Sequence, residues 1–263
     1  MTSVCRQDDP GFRVIVVCND IPDLPVRSQV DFVRVDFPPP SRDTSAVTGL
    51  DAIRIDRGTK YFVGLLHAAR FKPTHVMFFD ADDYLSRRIA GYVNSHPGSH
   101  GWVIKDGYIY RDGSHFIQKL SDFHLWNGSC NILRFEYLDV PSDLVAPISQ
   151  RDIIQRLDPF FLRGILGAHP FTDSYFDVIG KPLERFPFRG AIYVTGTGEN
   201  HSGYSQAAGK ERLDATLGDE FGLRLDDLDP SRLWAERAAR AADKCIHAAR
   251  RIRRGVRRTW SEG

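Results

Sequence analysis

Three carboxylates, Asp80, Asp82 and Asp83, stand within four residues directly after the almost uncharged run His75 to Phe79. Such a run reads as a strand buried on both faces, and the C-terminal edge of such strands is where open α/β sheets bind ligands. With extended geometry continuing past Phe79, Asp80 and Asp82 point the same way. Two parallel carboxylates repel unless a cation sits between them, and an all-oxygen site suits Mg²⁺ or Mn²⁺. A solvated acidic turn after a buried strand is the plain alternative.

The elements that must position these carboxylates follow from the apolar pattern. Arg13 to Cys18 is a β-branched first strand ending at Asn19-Asp20, and Val30 to Phe37 alternates as a second strand closed by Pro38-Pro39-Pro40. Residues 41–56 give no clear assignment. A helix is expected from Gly58, with Phe62, Leu65, Leu66 and Ala69 on one stripe and Pro73 as its end. The order strand, strand, helix, strand, carboxylates is a nucleotide-binding style of start. Beyond it, Ser86 to Val93 and Pro159 to Leu166 read as helices. Trp102 to Ile104 and Tyr108 to Tyr110 read as a hairpin through Lys105-Asp106-Gly107. Ser129 to Phe135 and Arg189 to Val194 read as strands. Asp173 to Ile179 is a short helix with Thr172 or Asp173 near its N-cap.

The chain has 263 residues and 42% hydrophobic composition, enough for one sizeable domain or one domain with two lobes. Its formal charge of +1 hides an asymmetry: residues 231–263 carry 10 Lys+Arg against 3 Asp+Glu, while residues 1–230 carry 25 against 31, a net of −6. An acidic body argues against a broad nucleic-acid surface. Cys5, Cys18, Cys130 and Cys245 show no CxxC spacing and read as free thiols of a reducing compartment. With no signal-like or membrane-spanning apolar run, a cytoplasmic location is expected.

Taken together, the residues resemble the GT-A glycosyltransferases, in particular the broad family-2-like group. The resemblance rests on Arg13 to Asn19 as first strand, Arg57-Gly58-Thr59-Lys60 leading into a helix, and the strand ending Asp80-Ala81-Asp82. It extends to Asn127-Gly128-Ser129 as a small-residue acceptor-side loop, Phe171-Thr172-Asp173 opening a helix, and Glu199-Asn200-His201 after the last strand. It implies an α/β fold of GT-A type, a Rossmann-like nucleotide-binding half fused to an acceptor-binding half. The glycosyltransferase domain would cover 1–230, with the nucleotide half to about 95, the acceptor half over about 96–205, and a helical tail over 231–263.

The activity implied is metal-dependent transfer of a hexosyl group from a nucleoside diphosphate sugar, a UDP-sugar foremost. The acceptor would be a saccharide or lipid-linked molecule in polysaccharide or glycoconjugate synthesis. Asp82 would bind Mn²⁺ or Mg²⁺ directly, Asp80 would touch the ribose or a metal-bound water, and His201 would complete the shell. Asn19, Asp36, Arg57, Lys60, Asp80 and Ala81 would line the donor, with Trp126, Gly128 and Ser129 on the acceptor side. Asp173 would be the general base of an inverting reaction, with Asp177 as the weaker choice. Each has a plainer reading: helix cap for Asp173, loop residue for His201, solvated helix start for Arg57 and Lys60. Trp102, Tyr108, Tyr110 and Trp126 would either stack on a sugar or serve the core.

Two alternatives stay open, a haloacid-dehalogenase-like phosphatase using Asp80-Ala81-Asp82 and a non-catalytic carbohydrate- or metal-binding module. In the tail, Trp234, Ala238, Ala241, Cys245, Ala248, Ile252 and Val256 make a shallow apolar stripe among arginines. A basic amphipathic helix of this kind suits peripheral contact with an anionic membrane on its inner face. Docking on the acidic body or on a partner suits it too.

Overall fold

The computed structural model describes residues 3–25, 27–38, 40, 47–197 and 211–238. In chain order its elements are β1 (Val14–Cys18), β2 (Val30–Arg34), α1 (Val47–Ala68), β3 (His75–Met77), β4 (Tyr84–Leu85), α2 (Ile89–Asn94), β5 (Gly101–Val103) and β6 (Asp106–Arg111). They continue with β7 (Phe116–Ser121), β8 (Asn131–Arg134), α3 (Gln150–Arg156), α4 (Thr172–Val178), β9 (Glu184–Arg185), β10 (Ala191–Thr195), β11 (Glu211–Arg212) and α5 (Ala215–Phe221). A wide, π-type helical segment spans Phe161–Leu166, and 230–238 is helical. The fold is mixed α/β.

The strands form three hydrogen-bonded groups, β1-β2, β3-β8-β5-β9 and β11-β7-β6-β10-β4. β1 and β2 run parallel, Val14 opposite Val30 and Cys18 opposite Arg34. β8 lies antiparallel to both β3 and β5. The first two groups act as one layer, because their alternate side chains enter the same two cores. Val14 and Val16 join Met77 and Phe79 around Trp102, Ile104 and Ile132. Val17 joins Val76 and Phe78 around Phe62, Leu66 and Leu133 of the opposite core. The period of two along each strand thus faces apolar residues to both sides, as a doubly covered sheet requires.

α1 begins at Val47, well before the expected Gly58, and supplies the second core through Phe62, Val63, Leu65 and Leu66. Burying side chains of this size contributes about 1.5–3 kcal/mol each. Ala69, expected on the stripe, is exposed because the helix has tightened into a last 3₁₀ turn there. Lys72 then adopts a left-handed conformation and Pro73 starts the approach to β3.

The expected hairpin through Lys105-Asp106-Gly107 does not form. β5 pairs with β8 and β9, whereas β6 pairs with β7 and β10, so the chain crosses between sheets at this point. The hairpin is β6–β7 instead, turned through the next Asp-Gly pair, where Gly113 takes φ +73°.

The expected tail falls mostly outside the described residues. Its first part packs back on the body: Glu236 accepts the His115 backbone N–H at 3.1 Å. Among the described residues no helix is long and apolar enough to cross a membrane.

Candidate active site

Strand β3 ends at Met77, and the chain turns at Ala81-Asp82, closed by the Asp83 N–H donating to the Asp80 carbonyl at 3.1 Å. Extended geometry therefore does not carry through to Asp82, and Asp80 and Asp82 do not share a strand face. The cause is Asp83, whose carboxylate is drawn inward. Its Oδ2 accepts from Ser129 Oγ at 2.6 Å and from Asn127 Nδ2 at 2.7 Å, and its Oδ1 accepts from the Val194 N–H at 3.1 Å. One side chain thus ties the turn to the loop before β8 and to β10 in the neighbouring sheet. Burial, and then the charge of Asp80, pushes the Asp83 carboxyl up to about 7 despite these three bonds.

Asp80 is held differently. Arg57 Nη2, from α1, lies 2.7 Å from Asp80 Oδ1, and the Asp80 N–H donates to Ser129 Oγ at 2.9 Å. Ser129 therefore relays from the Asp80 backbone to the Asp83 carboxylate, fixing the turn from below. Tyr61, one helical turn after Arg57, accepts from Arg57 Nη2 at 3.3 Å and donates to the Phe79 carbonyl at 3.2 Å. A Cβ at Gly128 would overlap the Arg57 guanidinium where it lies, so the glycine leaves room for that side chain beside Asp80. Burial opposes the charge on Arg57, but Tyr61 and Asp80 beside it keep the guanidinium protonated.

A second wall comes from residues 169–173 and the loop around His124. Asp173 pairs with Lys105 Nζ at 2.8 Å. Neither Thr172 nor Asp173 caps α4, whose cap position is Phe171 with no side-chain bond. The His169 ring meets the Leu125 carbonyl, while burial and then the Arg57 charge hold the imidazole neutral, down to about 4. Burial and then Lys105 also lower His124. The buried Cys130 thiol, raised by burial, feels Arg57, Asp80, Asp173 and Asp83 together. Both walls therefore belong to one electrostatic neighbourhood. Buried Arg57 Nε, His124 Nδ1, His169 Nε2 and Thr172 Oγ1 have no hydrogen-bond partner among the described residues.

The sequence-predicted residues divide. The structure brings together Arg57, Asp80, Gly128 and Ser129, and places Asp173 nearby. Ala81 is exposed at the turn, and Asp82 Oδ2 accepts from the Thr197 hydroxyl at 3.5 Å. Lys60 is spent on Asp56 of its own helix at 2.9 Å. Asn19 donates to the Phe37 carbonyl at 2.6 Å, and Asp36 is exposed two residues past the end of β2. Of the four aromatic candidates, Trp102 and Tyr110 are core residues and Tyr108 packs edge-on against Phe221, whereas Trp126 is 51% exposed. His201 lies outside the described residues. Asp177 is exposed.

Sequence reasoning gave no role to Asp83, Tyr61 or His169. Tyr61 had a usable signal, four residues after Arg57 on the same helical face. Asp83 would have been found by reading a turn rather than a strand through Ala81-Asp82. His169 carries no sequence signal.

Asp80, Asp82 and the Thr197 hydroxyl offer hard oxygen donors, chemistry that fits Mg²⁺ or Mn²⁺. Among the described residues no three His, Cys, Asp or Glu side chains converge as a ready-made metal cluster. A depression of about 330 Å³ between Ala69–Thr74 and Arg134–Glu136 sits at the opposite end of β3, away from the carboxylates. Comparison with protein-family models, with curated proteins and with solved structures gave no match.

Proposed function

We propose that the chain is a metal-dependent glycosyltransferase of GT-A type, taking a hexosyl group from a nucleoside diphosphate sugar, a UDP-sugar foremost, to a saccharide or lipid-linked acceptor. The observation that carries this reading is the carboxylate turn at the C-terminal end of β3. It is fixed from below by Ser129, Asn127 and Asp83 while Asp80 faces the half-buried guanidinium of Arg57. Ligands bind at this edge of open α/β sheets, and a site of this kind is useful when its groups are held before the ligand arrives.

Asp82 and Asp80 would hold Mn²⁺ or Mg²⁺, which as a Lewis acid neutralises charge on a departing diphosphate. Arg57 adds a fixed positive charge at the same edge, which suits phosphate oxygens. Asp173 accepts the proton of the attacking hydroxyl, and Lys105 Nζ, 2.8 Å away, orients the carboxylate. Trp126, exposed next to the Asn127–Ser129 loop, offers a stacking face on the acceptor side.

The test is a panel of nucleotide sugars, scored by thermal shift with and without Mn²⁺ and followed by release of nucleoside diphosphate. Metal-dependent stabilisation by at least one donor, with turnover on added saccharide, is expected. Hydrolysis of p-nitrophenyl phosphate without any nucleotide binding would replace this reading with a phosphatase.

A further inference from the structure

Helix α4 turns two different faces to its surroundings. Thr172 and Phe176, one turn apart, are buried. Phe171, Tyr175 and Val178 follow the i, i+4, i+7 spacing of a second stripe. On a solvated helix that stripe is polar. Here it is apolar, with Phe171 51% and Val178 85% exposed. Phe160, also half exposed, lies across it, its ring centroid 6.4 Å from that of Phe171 and 6.0 Å from that of Tyr175. Single exposed apolar residues are ordinary, but a contiguous group marks a surface that something covers.

The stripe begins at the candidate site. Phe171 stands two residues before Asp173, whose carboxylate pairs with Lys105 Nζ at 2.8 Å. The Lys105 carbonyl accepts the Phe123 N–H at 3.0 Å, and the Phe123 carbonyl accepts the N–H groups of Trp126 and Asn127, also at 3.0 Å. Leu125 and Trp126, each about half exposed, therefore stand on the second element that meets at the Asp173–Lys105 pair. One polar pair with apolar residues on both elements around it suits an amphipathic molecule. Val178 and Leu125 have no ring to stack on a sugar, so the apolar surface fits an aliphatic chain. Asp158, Asp173 and Asp177 along the same segment oppose an anionic lipid surface. We propose that the acceptor carries a long aliphatic group, seated on Phe160, Phe171, Tyr175 and Val178, with its hydroxyl-bearing head at Asp173. That the bound molecule is the acceptor rests on the proposed function; the aliphatic seat itself does not. From Phe171 to Val178 the seat is about 10 Å long.

Binding is read by saturation-transfer NMR on the full chain, without donor or metal, using methyl, hexyl and octyl β-D-glucoside below their micelle concentrations. Affinity should rise roughly two- to fourfold per added methylene from hexyl to octyl, with methyl glucoside not detectably bound. Phe160→Ser and Phe171→Ser change exposed rings and should leave the melting temperature nearly unchanged. Each should weaken octyl glucoside about three- to tenfold. Equal affinity for methyl and octyl glucoside, or variants that bind octyl glucoside as the unsubstituted chain does, overturns the proposal. So does a dimer that Phe171→Ser splits in sedimentation velocity, because the stripe then belongs to a second copy. Octyl glucoside binding with no stabilisation by any nucleotide sugar keeps the seat and removes the glycosyltransferase. Nucleotide-sugar binding with no dependence on alkyl chain length does the reverse.

Discussion

The two walls of the candidate site are built on opposite plans. On the side of the carboxylate turn, the polar groups of the turn itself are spoken for: Asp83 takes three donors, Ser129 Oγ accepts the Asp80 N–H and donates to Asp83, and Tyr61 braces the Phe79 carbonyl. On the side of residues 169–173, His169 Nε2 and Thr172 Oγ1 are buried without partners among the described residues, and Asp173 has a single lysine. A saturated wall is a scaffold, whose members should cost stability when removed. An unsaturated wall holds groups in reserve, whose removal should cost function more than folding. Three substitutions test whether that division holds.

Asp83→Ala should have the largest effect on stability. It strands the Ser129 hydroxyl, the Asn127 amide and the Val194 N–H in a buried place, at a cost of about 3–5 kcal/mol in total. Urea denaturation measures it. A loss under about 1 kcal/mol would mean that water or neighbouring groups replace the carboxylate, and that the first wall is not a scaffold.

The next effect is a pH dependence at His169. Its imidazole is held neutral in the fold, down to about 4, by burial and by Arg57. The folded value lies below the unfolded one, so stability is fully present above about 6.5 and is lost as pH falls towards 4. Across that window the unsubstituted protein should lose up to roughly 3 kcal/mol that His169→Asn does not lose. Asp83 pulls the other way over the same range, because its raised carboxyl favours the folded state at lower pH. The difference between the two proteins, not either curve alone, isolates His169. Parallel stability curves between pH 4.5 and 7 would show that the ring is not held neutral.

Asp173→Asn should be the mildest for folding. The Lys105 pair is partly exposed, 35% and 21% for the two side chains, and pairs of that kind contribute up to about 1 kcal/mol. Single-turnover transfer, by contrast, should fall on the order of a hundred- to ten-thousand-fold with donor affinity unchanged. A destabilised protein with intact transfer would place Asp173 in the scaffold and reverse the comparison.

How far the sequence led is itself set by this division. Period-two and helical patterns are carried by many residues, so β1, β3, β8, β10 and the core face of α1 were legible in Val14 to Cys18, His75 to Phe79, Ser129 to Phe135, Arg189 to Val194 and Phe62 to Leu66. The carboxylate turn was legible as a site but not in its geometry. Whether Asp83 points in or out is decided by Ser129, Asn127 and Val194, residues 46, 44 and 111 positions away. The same long-range pairing defeated the expected hairpin: Lys105-Asp106-Gly107 has suitable turn residues, but Trp102 and Val103 find their partners in β8 and β9. His169 was invisible because its role comes only from the buried charges around it.

Calorimetric titration of UDP and GDP asks whether Asp80 and Asp82 bind a nucleoside diphosphate through a divalent cation. The titrations are run in Mn²⁺ and in EDTA, on the unsubstituted chain and on Asp82→Asn. At least one nucleotide should bind in Mn²⁺, and both EDTA and Asp82→Asn should weaken that binding at least about tenfold, or about 1.4 kcal/mol. Equal affinity with and without the metal, or an Asp82→Asn variant that binds as the unsubstituted chain does, would contradict it.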